Sequence, residues 1–156
     1  MPLWNIYHPS TTFTTPPEKD LFVADILAYY HSQGTLPAFY VVVNFHPMPA
    51  GTMYRGSTPV SEQETPFIRI TISHLAASRR DFPEGVGAAR MRRGVDEACR
   101  RSIVEKGWGW EYHVMEDERD LWKIDGVIPP PFRGEVERKW REEDKVSEWE
   151  GGREAA

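Results

Sequence analysis

The chain has 156 residues, 40% of them hydrophobic and 12% aromatic, which suits one domain with a real core and excludes wholesale disorder. Its formal charge of −5 argues against a dedicated nucleic-acid binder, and the seven arginines from Arg79 to Arg101 read as a solvated helix face. No apolar run approaches membrane-spanning length, the first residues lack a signal-peptide layout, and the lone Cys99 allows no intrachain disulfide. A cytoplasmic protein that engages neither membrane nor nucleic acid is expected.

The chain opens with Met1-Pro2 and passes at once into the strand-like run Leu3–His8, so the first strand is expected over Pro2–His8. An initiator methionine ahead of proline is usually trimmed, and trimming would leave a secondary amine at the start of that strand. A terminal amine ordinarily titrates at about 7.7–8.0. Burial or a neighbouring cation lowers that value and makes the nitrogen a base near neutral pH.

Thr15-Pro16-Pro17-Glu18 then reads as a capping box, with Thr15 as N-cap, Pro16 at the first helical position and Glu18 reaching back. The helix it opens carries Leu21, Val23, Ile26, Leu27 and Tyr30 and is expected to stop at Gly34. Ala38–Phe45 is the second strand, and a helix of that length between two strands is a parallel crossover. After a loop rich in proline and glycine from His46 to Pro66, the pattern runs again. Phe67–Ser73 alternates, with Ile68, Ile70 and Ile72 on one face and Arg69, Thr71 and Ser73 on the other. A second helix over Glu84–Lys106 lines up Met91, Val95, Ala98, Cys99, Ser102 and Ile103 and ends at Gly107; Trp110–Val114 is the fourth strand. The expected fold is α+β, two tandem βαβ units forming a four-stranded sheet with two helices on one face.

From Glu116 the pattern changes to a strap containing Trp122–Ile128 and Pro129–Pro131, then a charged stretch from Glu135 to Lys145 that reads as a polar helix. A disordered end is expected from about Trp149. Trp122, Trp140 and Trp149 are too many tryptophans for an idle linker, so the strap is expected to dock on its own subunit or a neighbour. The expected division is a domain over 1–133 and a charged tail over 134–156.

Pro2 at the head of a strand, the duplicated βαβ and a sheet with one polar face together resemble the tautomerase superfamily. The segments MPLWNIYHP, LPAFYVVVNF, PFIRITISH and LWKIDGVIPPPF are similar to its fungal branch, grouped with the cis-3-chloroacrylic acid dehalogenase-like and oxalocrotonate tautomerase-like proteins. The resemblance implies a homotrimer whose sheets form an inner barrel, with three active sites at subunit boundaries. Such an assembly would also cover the sheet edges and the polar face.

The chemistry implied by the resemblance needs a base at the N-terminal amine and cations that hold a substrate carboxylate. Pro2 fills the first role. Arg69 is the first candidate for the second, since a guanidinium grips a carboxylate through two parallel bonds; the competing reading pairs Arg69 with an acid across a subunit boundary. Arg79 and Arg80 lie where the dehalogenases carry paired arginines, and surface placement is the alternative. Tyr112 resembles the family's active-site tyrosine by its place in the strand, against a plain core or interface role. His74 at a strand end could donate to a carboxylate, and Tyr30 aligns with the dehalogenase histidine position. The water-activating glutamate of the dehalogenases has no counterpart near Ile124-Asp125-Gly126 beyond Asp125 itself.

These departures count against dehalogenation and favour a cofactor-independent tautomerase acting on a small unsaturated 2-oxo or 2-hydroxy carboxylic acid, or a promiscuous hydratase-like activity, with a hydratase- or dehalogenase-type lyase as an alternative. The alternative from another class is a tautomerase-fold binding module with little catalysis. The five histidines form no ligand spacing with one another, with Cys99 or with a carboxylate, and no Gly-rich phosphate loop is present, so neither metal nor cofactor is expected.

Overall fold

A computed structural model describes residues 1–32, 36–75 and 82–153. Strand β1 spans Pro2–Pro9, and its side chains alternate between burial and partial exposure all the way to Tyr7. Helix α1 (Pro16–Ser32) begins where the sequence marks it: the Glu18 carboxylate accepts the Thr15 backbone N–H and hydroxyl, each at 3.2 Å. Its core face is Phe22, Ile26 and Tyr30, not Leu21, which stays exposed. Gly34, the expected stop, lies outside the described residues.

The second strand differs from expectation in its start. Ala38–Tyr40 forms a 3-10 turn behind Pro37, with the Tyr40 N–H on the Pro37 carbonyl at 3.2 Å, and β2 spans Val42–Met48. Pro37 offers no N–H to a ladder, and the turn drops the Tyr40 ring into the core. The loop that follows folds a small hairpin, β3 (Tyr54–Arg55) and β4 (Thr58–Pro59). Strand β5 (Phe67–His74) leads to α2 (Val86–Cys99), which relaxes into a π turn over Arg100–Val104 before Gly107 ends it at φ +71°. Gly94 lets α1 close on α2, since a Cβ there would stand 1.9 Å from the Tyr29 ring. Strand β6 spans Gly109–Glu116.

The sheet order is β2-β1-β5-β6, with β1 parallel to β2, β5 parallel to β6, and the two pairs joined antiparallel through β1 and β5. This is the duplicated βαβ architecture. Trp4, Ile6, Ile68, Ile70 and Ile72 face the helices and meet Phe22, Ile26, Val95, Ala98, Cys99 and Ile103 in one buried core. Register puts Leu3, Asn5, Tyr7, Arg69, Thr71 and Ser73 on the opposite face.

The strap docks on its own subunit. Trp122 and Trp140 are buried in the same core, and Trp140 lies on α3 (Glu135–Glu143), inside the stretch expected to be a charged tail. The expected disorder from Trp149 is not what the chain does as far as Arg153: the Trp149 indole donates to the Ile128 carbonyl at 2.8 Å and Ile128 N–H donates to Gly152 at 2.9 Å. An indole needs both an apolar wall and an acceptor, and the strap supplies them. No described helix is long and apolar enough to cross a membrane.

Candidate active site

Pro2 is buried at the head of β1, opposite His74 in the antiparallel ladder. The ladder continues one step further, where the Leu75 N–H donates to the Met1 carbonyl at 3.2 Å. The chain start is therefore pinned in place by β5. Its amine is pushed down to about 4, first by burial and then by the Arg119 guanidinium, against the opposing pull of Glu137 and Asp117. That amine belongs to Met1; while Met1 is attached the Pro2 nitrogen is an amide without basicity, and its removal would make that nitrogen a secondary amine.

Arg119 comes from the strap, in a 3-10 turn over Arg119–Leu121 just after β6. Its Nη2 donates to the Pro130 carbonyl and to Glu137 Oε1, the latter at 3.3 Å, and its guanidinium lies 5.5 Å from the Trp122 ring. Glu137, on α3, is 1% exposed. Its other oxygen accepts the Arg133 N–H at 2.7 Å. Burial raises the Glu137 carboxyl above its ordinary range, while the Arg133 amide and Arg119 hold it back. Tyr40 completes the cluster, 0% exposed, with its ring edge-on to Trp122 at 4.9 Å. Burial and Glu137 push its phenol up and Arg119 pulls it back, yet its hydroxyl completes no hydrogen bond. A buried hydroxyl without a partner in a native core calls for an explanation.

The residues put forward from the sequence divide into two groups. His74 is buried beside Pro2, and its ring lies 5.9 Å from that of Tyr30, whose hydroxyl accepts the Trp4 indole N–H at 3.0 Å. Those residues stand on the helix side near the amine. Arg69 is opposite Tyr7, five residues from Pro2 along β1 and about 16 Å away at the usual strand rise. It pairs with Glu111 and approaches His113 Nδ1 at 3.0 Å, all on the open face. Tyr112, level with Ile70, stacks on Trp110 at 5.7 Å and faces Asp96 and Arg92 on α2. Within one subunit neither Arg69 nor Tyr112 meets Pro2. Arg79 and Arg80 lie outside the described residues, and Asp125 sits exposed in a turn at φ +50°.

Sequence reasoning missed Arg119, Glu137 and Tyr40. The usable signal was the strap's tryptophans: a segment that buries Trp122 and Trp140 carries the polar residues between them inward. No group of three metal-ligating side chains occurs among the described residues.

A parallel-paired βαβ duplication with a buried chain start defines the tautomerase fold. The family described as "Putative oxalocrotonate tautomerase enzyme" matches residues 1–145, and the chain belongs to that family. Native RhCC from Rhodococcus jostii RHA1 is similar at 33% identity and a TM-score of 0.85, covering 94% of this chain and 99% of its own. A "probable enzyme from the thermophilic fungus Aspergillus fumigatus" is similar at 36% identity and a TM-score of 0.82, covering 96% and 98%. A fused 4-OT symmetric trimer shares the fold alone, at 6% identity and a TM-score of 0.58, covering 79% and 93%. No curated protein matches the chain.

Proposed function

We propose that the chain, once Met1 is removed, catalyses cofactor-independent keto–enol tautomerisation of a small unsaturated 2-oxo or 2-hydroxy carboxylic acid, with the Pro2 amine as base and acid. The nitrogen takes the proton from the enol oxygen and returns it to carbon, so nothing is consumed and no co-reactant is needed. The observation that carries this reading is the place of Pro2, buried opposite His74, whose carbonyl accepts the Asp117 N–H at 3.2 Å two residues before Arg119. Burial and Arg119 already lower the Met1 amine there, and the same influences would act on a Pro2 amine. Family membership supports the same class of reaction.

His74 and Tyr30 are the candidates for orienting substrate from the amine's own subunit. Arg69 and Tyr112 could serve only from a neighbouring subunit, and a homotrimer, which the resemblance implies, would provide one. The open sheet face and the two edge strands β2 and β6 favour such an assembly. The 36% identity with the fungal protein supports a fungal kinship, while the dehalogenase-like grouping rests on the sequence resemblance alone. Hydration or dehalogenation would need a carboxylate available to activate water; Asp125 sits in an exposed turn and Glu137 is held by Arg119 and the Arg133 N–H, so both favour it less.

Ketonisation of phenylenolpyruvate by protein shown by intact mass to lack Met1 tests the reading. Pro2→Ala should lower kcat/KM by at least about 100-fold. Undiminished turnover in that variant would overturn the mechanism. A second reading, binding without turnover, is favoured by Glu137, which already neutralises Arg119; it predicts that the processed wild type is also inactive.

A further inference from the structure

Loss of Met1 alters more than the Pro2 nitrogen. In the intact chain the Leu75 N–H spends its hydrogen bond on the Met1 carbonyl, and that carbonyl departs with the residue. An amide donor beside the core then faces newly opened space and needs a new acceptor. The departed oxygen sat one bond from the carbon attached to Pro2 nitrogen, so an acceptor taking its place lies against the amine. Met1 also packs on the core, so the opened space is that of one methionine residue.

Two further donors come from the neighbouring segments: the Asp117 N–H on the His74 carbonyl at 3.2 Å starts the strap that carries Arg119 at this end of the sheet, and the parallel pairing of Leu3 with Val42 puts Tyr40 level with Met1. The Arg119 guanidinium is close enough to lower the terminal amine, and its orientation is fixed by Pro130, Glu137 and the Trp122 ring. The Tyr40 hydroxyl, wholly buried without a partner, lies next to that same guanidinium. An unpartnered hydroxyl, an amide that loses its acceptor and an oriented guanidinium around one small space make a cradle for oxygen atoms.

We propose that excision of Met1 opens an anion subsite, formed by the Leu75 N–H, the Tyr40 hydroxyl and the Arg119 guanidinium, that holds the carboxylate of a small 2-oxo acid. This subsite is built by the strap and is separate from Arg69 and Arg79, the cations suggested by the sequence. Glu137 is its positioning residue, holding Arg119. Together with Asp117 it also places negative charge nearby, so a single carboxylate is accepted and a dianion is disfavoured. The inference rests on the Met1 removal that the tautomerase reading also requires, but not on proton transfer at Pro2.

The test is calorimetric binding of 2-oxopentanoate to processed protein and to protein that keeps Met1 because methionine aminopeptidase was inhibited, both verified by intact mass. Binding is expected only to the processed form. Arg119→Gln should weaken it by about tenfold or more and Tyr40→Phe by a smaller factor. Arg119→Lys, which keeps the charge and loses the planar fork, should fall between wild type and Arg119→Gln, and the Leu75 amide resonance should move on titration. Pro2→Ala should still bind. Loss of turnover in Pro2→Ala alongside unchanged binding in Arg119→Gln would remove the subsite and leave the tautomerase reading standing. Arg119-dependent binding without turnover would do the reverse. Equal affinity in all three variants at Arg119 and Tyr40, tight binding to the Met1 form, or no binding to processed protein overturns the proposal.

Discussion

Arg69 and Arg119 carry the same side chain and each pairs with a glutamate, yet they stand in opposite settings. The Arg69–Glu111 pair lies on the open sheet face with side chains 36% and 52% exposed, where water screens it. The Arg119–Glu137 pair is closed in by the strap, with Glu137 at 1%, and there the carboxylate must be held by hydrogen bonds or not exist as an ion. The first pair is free to be rearranged by a neighbouring subunit. The second fixes a charge beside the chain start. A charge acts most strongly on its surroundings where it is desolvated and held, and within one subunit that setting is the strap, not the regular strand.

The largest expected effect follows from removing each glutamate. Glu137→Ala strands Arg119 without its buried partner and the Arg133 N–H without its acceptor, and should lower unfolding stability by about 3–5 kcal/mol. Glu111→Ala should cost less than about 1 kcal/mol. Urea unfolding of the two variants checks both numbers, and similar losses would abolish the distinction between buried and exposed pairs.

The next effect is on pH dependence. In the proposed mechanism the neutral Pro2 amine is the active base, so kcat/KM should rise with pH as that amine loses its proton. Arg119 lowers and Glu137 raises the Met1 amine in the intact chain, and the same charges would act with the same signs on a Pro2 amine one residue on. Arg119→Gln should therefore move the acid limb of the profile to higher pH, and Glu137→Gln should move it to lower pH, each by roughly one unit. Arg69→Gln, at about 16 Å along the strand, should leave the limb where it is. An acid limb that follows Arg69 instead would transfer the electrostatic role to the open face.

This division also marks what could be read from the sequence. Strict alternation exposed Ile68, Ile70 and Ile72 as core and Arg69, Thr71 and Ser73 as the other face, because a strand's period of two is visible without any tertiary knowledge. The capping box at Thr15 was legible for the same local reason. Arg119 and Glu137 were not, since the strap has no period, and their meeting joins a 3-10 turn to a helix eighteen residues away. Tyr40 was hidden differently: it sits in a run that reads as strand, and only the turn behind Pro37 directs its ring inward. Charged composition around Glu135–Lys145 suggested a solvated tail, but one wall of that helix is Trp140 and Glu137. Thus the scaffold and the chain start could be read locally, while the polar part of the site depends on contacts between segments far apart in the chain.

The smallest expected effect concerns a third glutamate, which titrates in the opposite direction from Glu137. Glu18 accepts the Lys106 ammonium at 3.0 Å and the Thr15 N–H and hydroxyl at 3.2 Å, and its carboxyl is drawn down to about 2, with the Lys106 bond as the largest cause. A carboxyl lowered on folding favours the folded chain when ionised. Its contribution is present above the unfolded pKa of about 4.3 and is lost as the pH falls towards 2. Glu137, raised on folding, has the reverse sign: its protonation as pH falls through the folded pKa relieves a buried charge. Lys106→Met should bring the Glu18 titration back up towards its ordinary value, as followed by carboxyl NMR, and flatten the acid loss of stability between about pH 4 and 2. The change should be slight, because both side chains are about a third exposed, and Lys106 also gives up its position 4.5 Å from the Trp108 ring. A Glu18 titration unmoved by that substitution would assign its low value to the Thr15 cap alone.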